Sequence, residues 1–429
     1  MKTNRRQFIS TTVAGGLAAT FPLSSCSPND PVIPPTALRD NYEKLDQILK
    51  QPVFKKEEFT SPVIIETIEL LRYKNNFLCR VRSKDGAVGI SVGHGSIRTL
   101  YPIFTNLIQP FFINKDARDL DLIMERVYIY RLNFRLSGLA LGIPLATLEF
   151  AILDMMGHIA EKSMGQLIGN IHHPDVEVYQ ATEYRDKPVE ESMELISRDV
   201  GENNARALKI KVGGLMFETE DLHALAPPGR TETMIPLVRK TFGDDMVLYA
   251  DANGFYSVDE AIRAGKLLEE YNYQFFEEPV PFHWYEETKQ VADALSIPVA
   301  GGEQEFSLHG FRWLIANNGL QIVQPDIYYF GGMIRSMKVA WMAQAFGKSC
   351  TPHMSGGDLG FLYMMHFVSA LPNAMPHHEF KGFRTNIVFE CKTSPLQSVN
   401  GVVKVPTGPG SGVDIDPDFM EKFQTIHAD

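Results

Sequence analysis

Residues Ala207–Gly214 read A-L-K-I-K-V-G-G, a short apolar strand that runs into two glycines yet carries Lys209 and Lys211. Side chains two apart share one face of a strand, so both ammonium groups point the same way. Burial disfavours even one such charge. A strand of this kind needs a charged neighbourhood inside the fold, and the rest of the sequence supplies one.

Around this stretch the chain has a rhythm. After about Val176, eight short apolar segments recur, each ending in polar or charged residues and most followed by a helical stretch. They are V-E-V-Y-Q-A-T-E (176–183), A-L-K-I-K-V (207–212), M-V-L-Y-A-D-A-N (246–253), Y-Q-F-F-E-E-P (273–279), I-P-V-A-G-G-E (297–303), I-V-Q-P-D (322–326), K-S-C-T-P-H (348–353) and M-P-H-H-E-F (375–380). From Asp251 onward the polar ends lie roughly 26 residues apart, the period of a repeating strand-plus-helix unit. Eight such units close into an α/β barrel of the TIM type, with all the carboxyl ends of the strands at one mouth. An open doubly wound sheet would place a glycine-rich phosphate fingerprint after its first strand, and the sequence has none.

The strand ends carry a chemical kit. Segments three to five end in Asp251, Glu277 and Glu303. Three carboxylates converging at one mouth cannot all stay ionised without a countercharge. A hard divalent cation resolves this, and an all-oxygen site with room for water and substrate suits Mg²⁺. The next two segments end in Asp326 and His353, a carboxylate beside an imidazole, which sets the tautomer and raises the basicity. Lys209 and Lys211 sit on the strand next to Asp251. A neighbouring cation and partial burial lower a lysine's pKa toward use as a neutral base. The pair thus reads as a base and the cation that tunes it, with Lys209 also able to meet an anionic substrate group. A lysine on one side, a histidine on the other and a metal between them suit removal of a proton next to a carboxylate. The ene-diolate that forms carries two negative charges on oxygen, which a metal and cationic donors stabilise.

The rest of the chain frames this barrel. Its 429 residues and formal charge of −11 fit a large enzyme and argue against non-specific nucleic-acid binding, which needs a basic face. Residues 1–26 hold Arg5-Arg6 followed by Phe8-Ile9, a small apolar run and L-S-S-C. They read as a twin-arginine export signal with a lipoprotein-like cleavage site at Cys26, which predicts a periplasmic or membrane-anchored protein. Residues 27–60 read as a tether with one short helix. Strand patterns from Val63 and helical patterns over about 99–167 predict an α+β domain at 61–170. The barrel then spans 171–380, followed by a C-terminal segment at 381–429. Cys79, Cys350 and Cys391 lack paired spacing and read as packing residues.

The motifs K-I-K (209–211), D-A-N (251–253), F-F-E-E-P (275–279), G-G-E (301–303), V-Q-P-D (323–326) and T-P-H (351–353) occur in order at barrel spacing. With them the chain resembles the enolase superfamily, specifically its mandelate racemase subgroup, over nearly all residues after the signal and tether. That family uses a Lys or His base with Mg²⁺ to stabilise an ene-diolate. The resemblance implies that Asp251, Glu277 and Glu303 bind Mg²⁺, with Glu278 the alternative to Glu277. It implies Lys211 as base on one face and His353, oriented by Asp326, as acid or base on the other. Lys209, Asn253 and Glu379 are implied at the substrate carboxylate. It further implies that 61–170 and the segment after about 381 cap the barrel mouth, with His94 in G-H-G-S a candidate specificity residue, and that the protein forms even-numbered homo-oligomers.

Shared chemistry leaves several fates for the intermediate. Polar groups on Q-A-T-E-Y-R (180–185) suit a polyhydroxylated ligand. The expected reaction is therefore dehydration of a sugar acid to a 2-keto-3-deoxy acid. Racemisation or epimerisation, cycloisomerisation, and a non-catalytic sugar-acid-binding lipoprotein are the alternatives.

Overall fold

The computed structural model describes residues 35–214, 229–355, 357–383 and 385–427. The signal-like residues 1–26, with Cys26, and the start of the expected tether lie outside them. Apolar and polar residues alternate over 65–92 and form an antiparallel meander, β1 (Ile65–Tyr73), β2 (Asn76–Ser83) and β3 (Val88–Val92). The strand Gln424–Thr425 adds to its free edge through Leu71 opposite Thr425, so the far C-terminus belongs to this sheet. The C-terminal segment also reaches the barrel, where Val402–Lys404 pairs antiparallel with the first barrel strand.

The barrel strands are β4 (Asp175–Ala181), β5 (Ala207–Lys211), β6 (Val247–Asp251), β7 (Phe276–Glu277), β8 (Val299–Gly301), β9 (Ile322–Val323), β10 (Ser349–Cys350) and β11 (His378–Phe380). Each pairs in parallel with the next from β4 to β10, and β11 pairs with β4. A bridge between Cys350 and Ala374 joins the remaining seam. Alternation along each strand sorts the side chains. Leu208, Ile210, Val212 and Leu248 pack outward against the helices. Tyr179, Ala207, Tyr249, Phe275 and Ala300 fill the interior, with the rings of Tyr249 and Phe275 stacked at 4.2 Å. Lys209 and Lys211 take the inward positions above this aromatic plug, with Lys209 Nζ 5.1 Å from the Tyr179 ring centre.

Residues 35–60 differ from the expected tether. The helix Pro35–Leu49 lies against the barrel helices Leu308–Ala316 and Met333–Gln344. Leu45, Val53, Phe54 and Phe59 are buried, and Leu38, Tyr42, Ile48 and Leu49 pack on the same core. Those spacings are helical, but flanking prolines and charges conceal them in the sequence. The region over 99–167 is also more broken than a plain helical pattern suggests. Short helices such as Ile97–Ile103 and Leu120–Arg126 are followed by the segment Tyr130–Leu136, kinked at left-handed Arg131 and Leu132. One long helix, Leu139–Ala160, follows. It is apolar and long enough to cross a membrane by length and composition, yet residues 141–157 are all buried, as in a core helix. Cys79 and Cys350 are buried too, and burial pushes both thiols up, which fits packing rather than reactivity.

That helix ties the small domain to the barrel. Its Glu149 is fully buried, and Oε1 accepts from the Ile334 amide at 2.9 Å, at the start of helix Met333–Gln344. Gly332, at φ +123°, leaves room for this carboxyl, because a Cβ there would lie 1.3 Å from Glu149 Oε2. Burial pushes the Glu149 pKa up to about 8, from an ordinary 4.5. A carboxyl raised in this way stabilises the fold fully below about 4.5, and the contribution is lost as pH rises toward about 8. The loss amounts to as much as about 1.4 kcal/mol per pH unit. Glu149→Gln keeps the carbonyl acceptor and removes the titration. Melting temperatures followed from pH 5 to pH 8 should fall less steeply in this variant than in the wild type. Parallel curves would show that Glu149 does not titrate in this window.

Candidate active site

Strand register assembles the site. Lys211 stands opposite Asp251, and Asp251 opposite Glu277, so three consecutive strands present their last side chains side by side. Glu303 follows two residues after β8, Asp326 three after β9 and His353 three after β10, while Glu379 lies within β11. One oxygen from each of Asp251, Glu277 and Glu303 comes within 4.8 Å of the others, and all three residues are buried. Glu277 Oε1 and Glu303 Oε2 are buried without a hydrogen-bond partner among the described residues. Unpartnered carboxylate oxygens in a buried all-oxygen cluster fit a hard divalent cation such as Mg²⁺. Glu278 turns away at φ +39° and stands beside Gly301, outside the triad.

The lysines answer this charge differently from one another. Lys209 is 1% exposed and donates to Glu277 Oε2 at 2.7 Å, with Asp251 at 3.8 Å and Glu379 at 4.0 Å. Burial works against its charge, but Glu277, Glu379 and Asp251 outweigh it and hold the ammonium well above its usual range. Lys209 is thus a charged counter-ion to the carboxylates. Lys211 Nζ lies 2.5 Å from Asp251 Oδ2 and 2.8 Å from Asn253 Oδ1. Desolvation raises the Asp251 pKa, yet Lys211, Lys209 and Arg185 together bring it down to about 2. Glu277 moves the other way despite its ion pair. Burial and the adjacent Asp251, Glu303 and Glu379 push it up to about 7 against the pull of Lys209.

Across the mouth, His353 Nδ1 lies 2.8 Å from Asp326 Oδ2, while Nε2 faces Glu303 at 3.4 Å and Glu379 at 3.8 Å. Asp326 is held in turn. Its Oδ1 accepts from the amides of Tyr328 and Tyr329, and its Oδ2 from that of Ser355. Burial lowers the imidazole's pKa, but Glu303, Glu379 and Asp326 raise it further, to about 9. In this arrangement His353 is an imidazolium, a proton donor at neutral pH. Glu379 accepts from the Met354 amide at 3.0 Å and stays ionised, because Lys209, Lys381 and His353 overcome its burial. The small domain delivers His94 near this dyad. Its ring lies edge-on to Tyr329 at 5.7 Å, and Tyr329 is 6.0 Å from His353.

All nine residues expected at the site therefore converge on one mouth. Others were not legible beforehand. Gln324 donates to Glu277 Oε2 at 2.9 Å, Lys381 bridges Glu183 at 2.9 Å and Glu379 at 3.4 Å, and Arg185 reaches Asn253. Gln324 lies inside the V-Q-P-D motif, so its place one residue past β9 was the available signal. Arg185 closes the polar stretch 180–185 expected to face a ligand, with no sign of its contact to Asn253, and Lys381 follows a strand end with no distinguishing pattern.

The sequence pattern of the family described as enolase C-terminal domain-like matches residues 191–419. An arabinonate dehydratase of Saccharolobus solfataricus is 25% identical over 348 residues, 80% of this chain and 89% of that protein. A D-galactarolactone cycloisomerase of Agrobacterium fabrum is 28% identical over 361 residues, 81% of this chain and 90% of that protein. Among solved structures, a mandelate racemase/muconate lactonizing protein from Paracoccus denitrificans complexed with magnesium has a TM-score of 0.75. It is 25% identical, and the match covers 86% of this chain and 100% of that one.

Metal binding to the folded chain alone should stabilise it by mass action. Millimolar Mg²⁺ should raise the melting temperature of the EDTA-treated wild type by several degrees, and Glu303→Gln should abolish the shift. Because Glu277 is raised to about 7, protons compete for the site below that pH. Apparent Mg²⁺ affinity by calorimetry should therefore fall as pH drops from 8 to 6. A wild-type melting temperature indifferent to Mg²⁺ would rule out the triad as a cation site.

Proposed function

The chain belongs to the enolase C-terminal domain-like family, within the enolase superfamily, and from that membership we propose that it dehydrates a sugar acid to a 2-keto-3-deoxy acid with Mg²⁺ as cofactor. The carrying observation is the opposition of Lys211 and the His353–Asp326 dyad across the carboxylate triad. A base on one face and an acid on the other match loss of an α-proton and a β-hydroxyl. Held by Asp251, Glu277 and Glu303, Mg²⁺ supplies Lewis-acid stabilisation of negative charge on the substrate carboxylate.

The chain's own residues carry the steps. Lys211 takes the α-proton, and the C–H electron pair moves into the carboxylate to give the ene-diolate. Lys209 and the Asn253 amide add positive potential where that charge develops. Collapse of the ene-diolate expels the β-hydroxyl, which leaves as water with the proton that His353 Nε2 donates. Asp326, on Nδ1, keeps the ring oriented for this transfer. The resulting enol tautomerises to the 2-keto acid. Buried walls around the triad exclude water and strengthen each of these interactions.

The 28% identical cycloisomerase favours a second reading, in which the same proton abstraction opens or closes a ring. A panel of mono- and di-acid sugars and their lactones, incubated with the mature protein and Mg²⁺, separates the two. Appearance of 2-keto acid supports dehydration. Lys211→Ala and His353→Asn should each lower the rate by about 10³-fold or more, since each removes a proton-transfer partner. Ring opening without keto acid moves the assignment to a cycloisomerase, and deuterium at the α-carbon alone moves it to an epimerase. Binding without turnover or exchange would mark a binding protein.

The N-terminal residues support export and a lipid anchor at Cys26 as part of the same proposal. Arg5→Lys combined with Arg6→Lys should trap the protein in the cytoplasm, and Cys26→Ser should move it from the membrane pellet to the soluble periplasmic fraction. A wild-type protein found only in the cytoplasm would end this part of the reading.

A further inference from the structure

Asn253 receives two cations on one oxygen. Its Oδ1 accepts from Lys211 Nζ at 2.8 Å and from Arg185 Nη2 at 2.6 Å. Arg185 follows β4 by four residues, is 4% exposed, and also donates from Nη1 to the Gly214 carbonyl at 2.7 Å and, at the long distance of 3.5 Å, from Nη2 to the Asp251 carbonyl. Asn253 itself sits in the left-handed region at φ +44°, with its amide N–H on Asp251 Oδ1 at 2.8 Å and its Nδ2 facing Glu303 Oε1 at 3.5 Å. One residue thus touches Asp251 through its backbone and Glu303 and Lys211 through its side chain.

An asparagine amide can turn over with little change in shape, and only its partners decide which end points where. With Oδ1 toward Lys211, the lysine has two acceptors, Asp251 Oδ2 and Asn253 Oδ1. With the amide reversed, an NH₂ group would face the ammonium, Lys211 would keep Asp251 alone, and the oxygen would face Glu303. Lys211 and Glu303 both favour the first arrangement, and Arg185 locks it with the shortest of the three contacts, because its guanidinium accepts nothing and can meet Asn253 only through the oxygen. A charged donor in a buried setting makes this bond strong.

We propose that Arg185 is a positioning residue for the base: by locking the Asn253 amide it fixes where Lys211 Nζ sits relative to the substrate's α-carbon. The proposal rests on the reading of Lys211 as the base. Arg185 itself touches no reacting atom and acts through Asn253.

The first test needs no substrate. Crystal structures of the wild type and Arg185→Gln should differ at Lys211, whose Nζ keeps the Asn253 oxygen in the wild type and leaves it in the variant. A variant in which that contact persists overturns the proposal, whatever reaction the protein performs. If Arg185→Gln does not fold, Arg185→Lys serves. It keeps a charged donor to Asn253 without the guanidinium's second arm to Gly214, so it should retain the Lys211–Asn253 contact, and loss of that contact would overturn the proposal equally.

The second test uses any acid the wild type deprotonates. Arg185→Gln should lower kcat by about 100-fold, the scale of a misplaced reacting group, with KM within about threefold. In an Asn253→Ala background the same substitution should cost less than about threefold, because the shared intermediary is gone. Arg185→Lys should recover part of the loss. Equal losses in both backgrounds, or a loss confined to KM, would mean that Arg185 only holds the loop at Gly214. A wild type that deprotonates no acid refutes the proposed function and leaves the crystallographic result to decide Arg185.

Discussion

Crowding of like charges in a dry barrel mouth is the constraint around which this molecule is built. Asp251, Glu277, Glu303 and Glu379 come together where water cannot screen them. Their mutual repulsion is large at low dielectric. Lys209 sits among three of them, fully buried above an aromatic floor, and its ammonium is one of the groups that lets the cluster persist. Even so, Glu277 is left raised and two carboxylate oxygens remain without a hydrogen bond among the described residues. The protein's own cations do not fully match its own anions. That shortfall is what a divalent ion fits, and it links the stability of the fold to the chemistry of the site.

The same charges sort the two faces of the site. Lys211 is engaged by Asp251 and Asn253 on the β5–β6 side. His353, on the β10 side, collects the fields of Glu303, Glu379 and Asp326 and holds its proton. One face is thus built around a lysine paired with a carboxylate and the other around an imidazolium. Oriented amides complete the arrangement. Asp326 takes three backbone N–H groups, so the carboxylate that steers His353 is itself fixed by the loop carrying Tyr328 and Tyr329.

That loop is where the small domain enters. Val92, at the end of β3, receives the Tyr328 hydroxyl on its carbonyl at 2.7 Å and gives its amide to Tyr363 at 2.8 Å. Glu149 and the glycines at 142 and 332 let helix Leu139–Ala160 pack directly on the backbone of residues 329–334. The small domain is therefore bonded to the segment that orients the histidine, and it brings His94 against Tyr329.

Much of this was legible in the sequence. The period of strand ends, the inward pair Lys209 and Lys211, and the carboxylates at Asp251, Glu277 and Glu303 are statements about spacing, and parallel barrel topology turns spacing into proximity with little freedom. The short helix expected within residues 27–60 is Pro35–Leu49; flanking prolines and intervening charges hide its apolar face, and only docking on the barrel helices reveals it. The role of Lys209 was read from its neighbour on the strand, whereas its true partner lies two strands away on β7. Arg185, Lys381 and Glu149 carry no motif. What each does depends on which atoms stand within about 3 Å, and that is set by loop paths and strained backbone that local patterns do not encode. Sequence alone determined the barrel and the residues at its mouth, because these follow from periodicity. Tertiary structure alone decided which charges pair, which carboxylate holds a proton and which side chain fixes the next, because short-range electrostatics depends on distances that no periodicity records.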